Sequence, residues 1–208
     1  MSFYQYLRRH MIVVICLLLI GYGIVAYIHI VCPEKIGQPH TRGAQVAFAP
    51  VYNEDGSTFH AKLEIGYRQG LLILESIIAL FCIWVLYKMV LYYSIFFGMT
   101  SRWTYFVDFG CATAVARLPV RLAGIYVLDY LYIRMGHGTY DFFDLCIGVS
   151  MVGMVLWYLP FYVRYHRYKK VHTKGMKFWE KFKWEMCFGV DMLKMLFRPI
   201  RTWWKDAN

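Results

Sequence analysis

The sequence predicts an all-α, polytopic membrane protein: four transmembrane helices followed by a cytoplasmic tail that carries an amphipathic C-terminal helix. Three observations lead there. Of 208 residues, 59% are apolar and only 17% are charged, whereas a soluble domain carries about a quarter charged residues. The apolar residues gather into runs near the roughly 20 needed to cross a bilayer. The net charge of +10 is concentrated at the two ends of the chain. This composition excludes a disordered, collagen-like or coiled-coil chain.

The first span is Met11–Val31, free of charge, with His29 near its end. It is longer than the 7–15 residues of a signal-peptide core, and no small-x-small cleavage site follows, so an uncleaved anchor is expected. Residues 1–10, with Arg8 and Arg9, form its cytoplasmic flank. In the outer loop, 32–69, Lys35, Arg42, Lys62 and Arg68 are balanced by Glu34, Glu54, Asp55 and Glu64. Asn53-Glu-Asp-Gly56 is a turn signal between two partly alternating runs, Ala44–Tyr52 and Ser57–Ile65. A small β-hairpin and an irregular loop both fit that pattern. The second span runs from Gly70 to about Tyr93 and contains Glu75 and Lys88.

The third span has two candidate layouts. Thr104–Ala116 and Leu122–Ile133 are apolar, and Arg117-Leu-Pro-Val-Arg121 separates them. A single span kinked at Pro119 would place both arginines deep in lipid, at about 2.5–3.5 kcal/mol each on insertion scales. At a helix end an arginine can snorkel to the interface. The preferred layout therefore puts Thr104–Ala116 in the interface and the span over Arg117–Met135. The fourth span runs from Phe142 to about Val163 and completes a membrane domain over 11–163.

The tail, 164–208, carries 12 Lys or Arg against 4 Asp or Glu, which places both termini in the cytoplasm. Trp179, Phe182, Met186, Val190, Leu193 and Phe197 recur at spacings of three and four. Such a basic amphipathic helix is expected to lie on anionic lipid, and no nucleic-acid partner is needed to account for its charge. The bacterial cytoplasmic membrane is the expected location.

Most familiar chemistries are missing from the sequence. The six cysteines form no C-x-x-C pair. A haem held between His10 and His166 would need ligands on facing helices at one level, and the second span has no histidine; no cofactor is expected. The Ala116-Arg-Leu-Pro-Val-Arg121 stretch lacks the Asp-Gly and later aspartates of the CDP-alcohol phosphotransferase signature, since Ala112-Thr113 stands where Asp-Gly should. No P-loop, H-E-x-x-H or G-x-S-x-G pattern occurs.

What remains is a set of charges where lipid disfavours them. Glu75, Asp108 and Asp129 form a candidate intramembrane polar site. Arg117 and Arg121 share a helix face and, with Arg164, Arg167, Lys169 and Lys170, are candidate ligands for lipid phosphate at the inner face. Asp129 and Glu75 could meet in the outer halves of neighbouring helices. With no complete catalytic set visible, the leading expectation is a non-enzymatic subunit or scaffold of a larger inner-membrane assembly, with other subunits or further copies as partners. A proton or cation channel using Glu75 and Asp129 is the alternative. A further reading is a lipid-acting enzyme, with Arg117 and Arg121 holding a phosphate and Asp129 as acid or base, or a haem-binding cytochrome b-type subunit.

Overall fold

A computed structural model of the protein describes residues 3–38, 45–53, 69–134 and 138–198. Three of its helices are long and apolar enough to cross a membrane. These are α1 (Phe3–Val31), α2 (Gln69–Phe96) and α4 (Phe142–His172). Their apolar side chains point mostly outward: Ile15, Leu19, Ile77, Phe81, Met151 and Val155 are all exposed. Hydrocarbon suits such a belt, whereas water would leave a very large apolar patch unsatisfied.

A shorter helix, α3 (Tyr105–Leu122), packs against α1, α2 and α4. Small residues allow the close approach. Ala112 meets Leu17 of α1 and Cys146 of α4 in one buried cluster. Gly153 of α4 lies so near Phe106 that a Cβ there would collide with the ring. Next to Phe106, Val107 packs with Val90 of α2 and Trp157 of α4.

The chain between α3 and α4 departs from the expected third span. Residues 117–122 finish α3, and Gly124, at φ +67°, ends it. The Ala123, Gly124 and Ile125 amides close back onto Pro119, Arg121 and Val120 carbonyls, a glycine stop of the Schellman type. Beyond it, Val127–Ile133 is not helical but forms strand β2, and Gly138–Tyr140 forms β3. The predicted span over Arg117–Met135 is therefore incorrect, and so is the single kinked span. Seven residues rich in β-branched and aromatic side chains satisfy a strand, and the glycine stop prevents the apolar run from continuing as helix.

The partner of β2 comes from the first loop. Strand β1 (Val46–Asn53) pairs antiparallel with β2, and β2 pairs with β3, giving the order β1-β2-β3. Pro50 sits where the register shifts between Phe48 and Val51, as expected of a residue that cannot donate to the ladder. The other half of the suggested hairpin, Ser57–Ile65, lies outside the described residues. Ile28 of α1 packs under Leu128 and Tyr130, so the sheet is seated on the end of α1.

Beyond Val163, α4 continues to His172, and a turn at Gly175 leads to α5 (Phe178–Phe197). Helix α5 folds back on the bundle. Phe188 stacks on Trp184 and lies beside Tyr168, and Lys88 Nζ of α2 donates to the Arg198 carbonyl at 3.1 Å. Trp179, Phe182, Met186, Val190, Leu193 and Phe197 of α5 are exposed.

Candidate active site

Strand β2 carries Asp129 to the mouth of the helix bundle. Its register partner is Val51, and the next residues of β1 bring Asn53 Nδ2 to donate to Asp129 Oδ2 at 3.0 Å. Two further carboxylates arrive at the start of α4, where Asp141 and Asp144 form a reciprocal cap. Asp141 Oδ1 accepts from the Asp144 amide at 2.9 Å, and Asp144 Oδ2 accepts from the Asp141 amide at 3.0 Å. This satisfies amides that a helix N-terminus leaves without partners. It also fixes both side chains facing β2, so that one oxygen from each of Asp129, Asp141 and Asp144 lies within 4.8 Å of the others.

Arg117 of α3 supplies the positive charge. Its Nη2 donates to Asp141 Oδ1 at 2.9 Å and to Asp144 Oδ1 at 3.0 Å. Among the described residues Asp129 has no such cation of its own: it is 2% exposed, and its buried Oδ1 has no hydrogen-bond partner there. Burial, with the Asp144 charge second, pushes its carboxyl up to about 7, against the opposing pull of Arg117 and Asn53. Asp141 is also raised, to about 6, by burial, with Arg117 opposing.

Asp129 and Asp144 open onto a cavity of about 670 Å³ between the sheet and α2, α3 and α4, while Asp141 faces a smaller one. Asn53, Arg117, Asp129 and Asp144 line its upper part, and Ile83, Gly110, Ser150 and Met151 line its floor within the bundle. Glu75 and Arg121 form one wall. Arg121 Nη1 donates to the Leu72 carbonyl at 2.9 Å and to Ser76 Oγ at 2.8 Å, and lies 3.5 Å from Glu75. Behind Arg117 a second, mainly apolar cavity of about 170 Å³ runs between α1 and the sheet, past Tyr22, His29 and Tyr52.

Two carboxyl groups this close cannot both ionise cheaply, so one keeps its proton while the other is charged. That combination provides an acid and a base side by side. Three carboxylates are also a donor set for a divalent cation. Here, however, Arg117 already supplies positive charge to two of them.

Glu75 and Asp129 both line this cavity, but from a helix and a strand rather than from two neighbouring helices. The immediate neighbour of Asp129 is Asp144, and Glu75 is paired with Arg121. Asp108 is not with them: it lies at the far end of α3, accepting from buried His10 Nδ1 at 2.6 Å. Arg117 and Arg121 lie at the Asp129 end of α3, beside the sheet, apart from the other basic residues grouped with them. At the opposite end, Arg164 donates to the Phe97 carbonyl and Lys169 pairs with Glu185, while Arg167 and Lys170 are exposed. The sequence reading did not single out Asp141, Asp144 or Asn53. The Asp-Phe-Phe-Asp spacing ahead of an apolar run is the capping signal that could have drawn attention to the first two.

No protein-family model matches the chain, and no curated protein does. Its fold does have a counterpart. A bacterial membrane enzyme solved at 2.3 Å by the in meso method superposes with a TM-score of 0.53, covering 81% of this chain and 93% of that one. Sequence identity is 11%, so the likeness is one of fold. Together with the three apolar helices, it describes a membrane-protein architecture.

Proposed function

We propose that the protein is a membrane-embedded hydrolase working through an aspartate pair, Asp129 and Asp144, on an amide or ester carbonyl brought to the mouth of the bundle. The observation that carries this reading is buried Asp129, whose Oδ1 has no partner among the described residues, within reach of Asp144 at a cavity that enters the helices. That a bacterial membrane enzyme shares the fold supports an enzymatic role over a purely structural one.

Each residue has a task. Asp144, held by Arg117, takes a proton from water while the water oxygen attacks the carbonyl carbon. Asp129, protonated up to about 7, gives its proton to the carbonyl oxygen. The tetrahedral intermediate then collapses: Asp144 passes its proton to the leaving nitrogen or oxygen as the carbon–heteroatom bond breaks, and a hydroxyl proton returns to Asp129. Asn53 holds Oδ2 of Asp129 and leaves Oδ1 without a partner among the described residues.

In this reading α3 is a fourth span. Its polar residues are tolerated because they are paired inside the bundle: Asp108 with His10, Arg117 with Asp141 and Asp144, Arg121 with Ser76 and Glu75. The even number of crossings puts both termini on one side, and the basic tail assigns that side to the cytoplasm. The scaffold reading draws on the exposed apolar face of α5, which would then meet another subunit.

The test uses the purified protein in nanodiscs with membrane-anchored peptides and esters, in water enriched in oxygen-18. Cleavage should place the label in the new carboxyl group, and Asp129→Asn or Asp144→Asn should each lower turnover by about a hundredfold or more. Unchanged turnover in a folded Asp129→Asn variant refutes the proposal. Proton or cation flux lost in that variant, with no cleavage by the parent protein, would favour the channel reading instead.

A further inference from the structure

A third cavity, of about 430 Å³, lies at the other end of the bundle, between α4 and α5. Its walls are mainly aromatic. Tyr158, Phe161, Tyr162 and Tyr165 come from α4, and Phe182 and Phe188 from α5. The rings form a connected set, with Tyr93 of α2 at 4.7 Å from Phe161, Tyr158 at 5.8 Å from Tyr162, and Tyr165 at 5.7 Å from Phe188. One carboxylate, Glu185, is in the lining, and it pairs at the rim with Lys169.

This combination selects for charge. Tyrosine and phenylalanine faces attract a cation through their quadrupoles, and Glu185 adds a full negative charge. An acyl chain would need neither. The rim pair presents a negative and a positive group side by side, each about a third exposed; such a pair is held weakly and can be exchanged for other partners. Its complement is a molecule with an ammonium and a phosphate a few bonds apart. The cavity also lies beside the basic segment Arg164–Lys170, where α4 leaves its apolar stretch.

We infer that the α4–α5 cavity binds the headgroup of a zwitterionic phospholipid, with the ammonium among the rings beside Glu185 and the phosphate on Lys169. A lipid with a glycerol headgroup offers the phosphate but no cation, so the cavity discriminates against it even though the tail is strongly basic. Binding here is separate from the aspartate pair at the other end of the bundle, so either reading can fail alone.

Native mass spectrometry of the delipidated full-length protein would test this by titration with phosphatidylethanolamine, phosphatidylcholine, phosphatidylglycerol and diacylglycerol of matched chains. One of the two zwitterionic lipids should bind about fivefold or more tighter than phosphatidylglycerol, and which of them wins identifies a primary or a quaternary ammonium. Glu185→Gln should abolish that preference. Tyr162→Leu, at a half-exposed ring that leaves both rim charges in place, should weaken it, whereas Glu180→Gln outside the cavity should leave it intact. Equal binding of all four lipids, tighter binding of phosphatidylglycerol, or a preference that survives both Glu185→Gln and Tyr162→Leu would overturn the inference.

Discussion

Replacing Asp129 by asparagine should inactivate the protein and at the same time stabilise it, by an amount that depends on pH. The carboxyl is raised from the ordinary 3.8 to about 7, mainly by burial. Between those values the folded protein holds a proton that the unfolded chain has released. Stability from this site is therefore greatest below about 3.8 and falls as pH rises, levelling off above about 7. At about 1.36 kcal/mol per pH unit, the interval amounts to about 4 kcal/mol. Asparagine has no charge to desolvate and keeps a carbonyl oxygen for Asn53, so the variant escapes this loss. Asp141 is raised as well, but it titrates in both proteins, and the difference between them isolates Asp129. The assay is reversible unfolding in mixed micelles at pH 4, 6 and 8. The variant should gain on the parent as pH rises, by about 4 kcal/mol at most. Parallel stability profiles would show that Asp129 is an ordinary solvated carboxylate and would remove the basis for its role as an acid.

The same protonation should appear in kinetics. kcat/KM should fall on the alkaline side with a midpoint near 7, and Arg117→Met, which removes a charge that holds Asp129 down, should move that limb to higher pH. The variant should also be less stable by about 3 kcal/mol or more, because two carboxylates lose their cation; an unmoved limb would contradict the assignment. Gly153→Ala should lower the thermal midpoint by overpacking against Phe106, at about 1–3 kcal/mol, and Phe106→Ala in the same chain should recover part of it. His10→Phe, which strands buried Asp108, should destabilise by about 3–5 kcal/mol, and adding Asp108→Leu should restore much of that in a double-mutant cycle.

Hydropathy made α1, α2 and α4 legible because each holds a long, strongly apolar stretch with few charges. It misled between residues 117 and 135. There a run of the right length is divided at Gly124, whose positive φ stops the helix, and a local signal of one residue outweighs the average over twenty. The site suffered from a related difficulty. Asp129 stood out because it interrupts apolar residues, but Asp141 and Asp144 sit at a helix start, where acids are ordinary. Their distinction is that β2 and Arg117 fold against them. Likewise, nothing local marks His10 as the partner of Asp108, 98 residues away; only the packing of α1 on α3 joins them.

The sheet also sets a schedule for assembly. Asn53 and Asp129 are 76 residues apart, and at synthesis rates of about 5–20 residues per second β1 emerges about 4–15 s before β2 can meet it. During that wait β1 is an unpaired edge, able to recruit the wrong strand. The acid pair cannot exist until α3 has entered the bundle, β2 has closed on β1 and α4 has begun, so a chain interrupted at any earlier point carries no reactive centre.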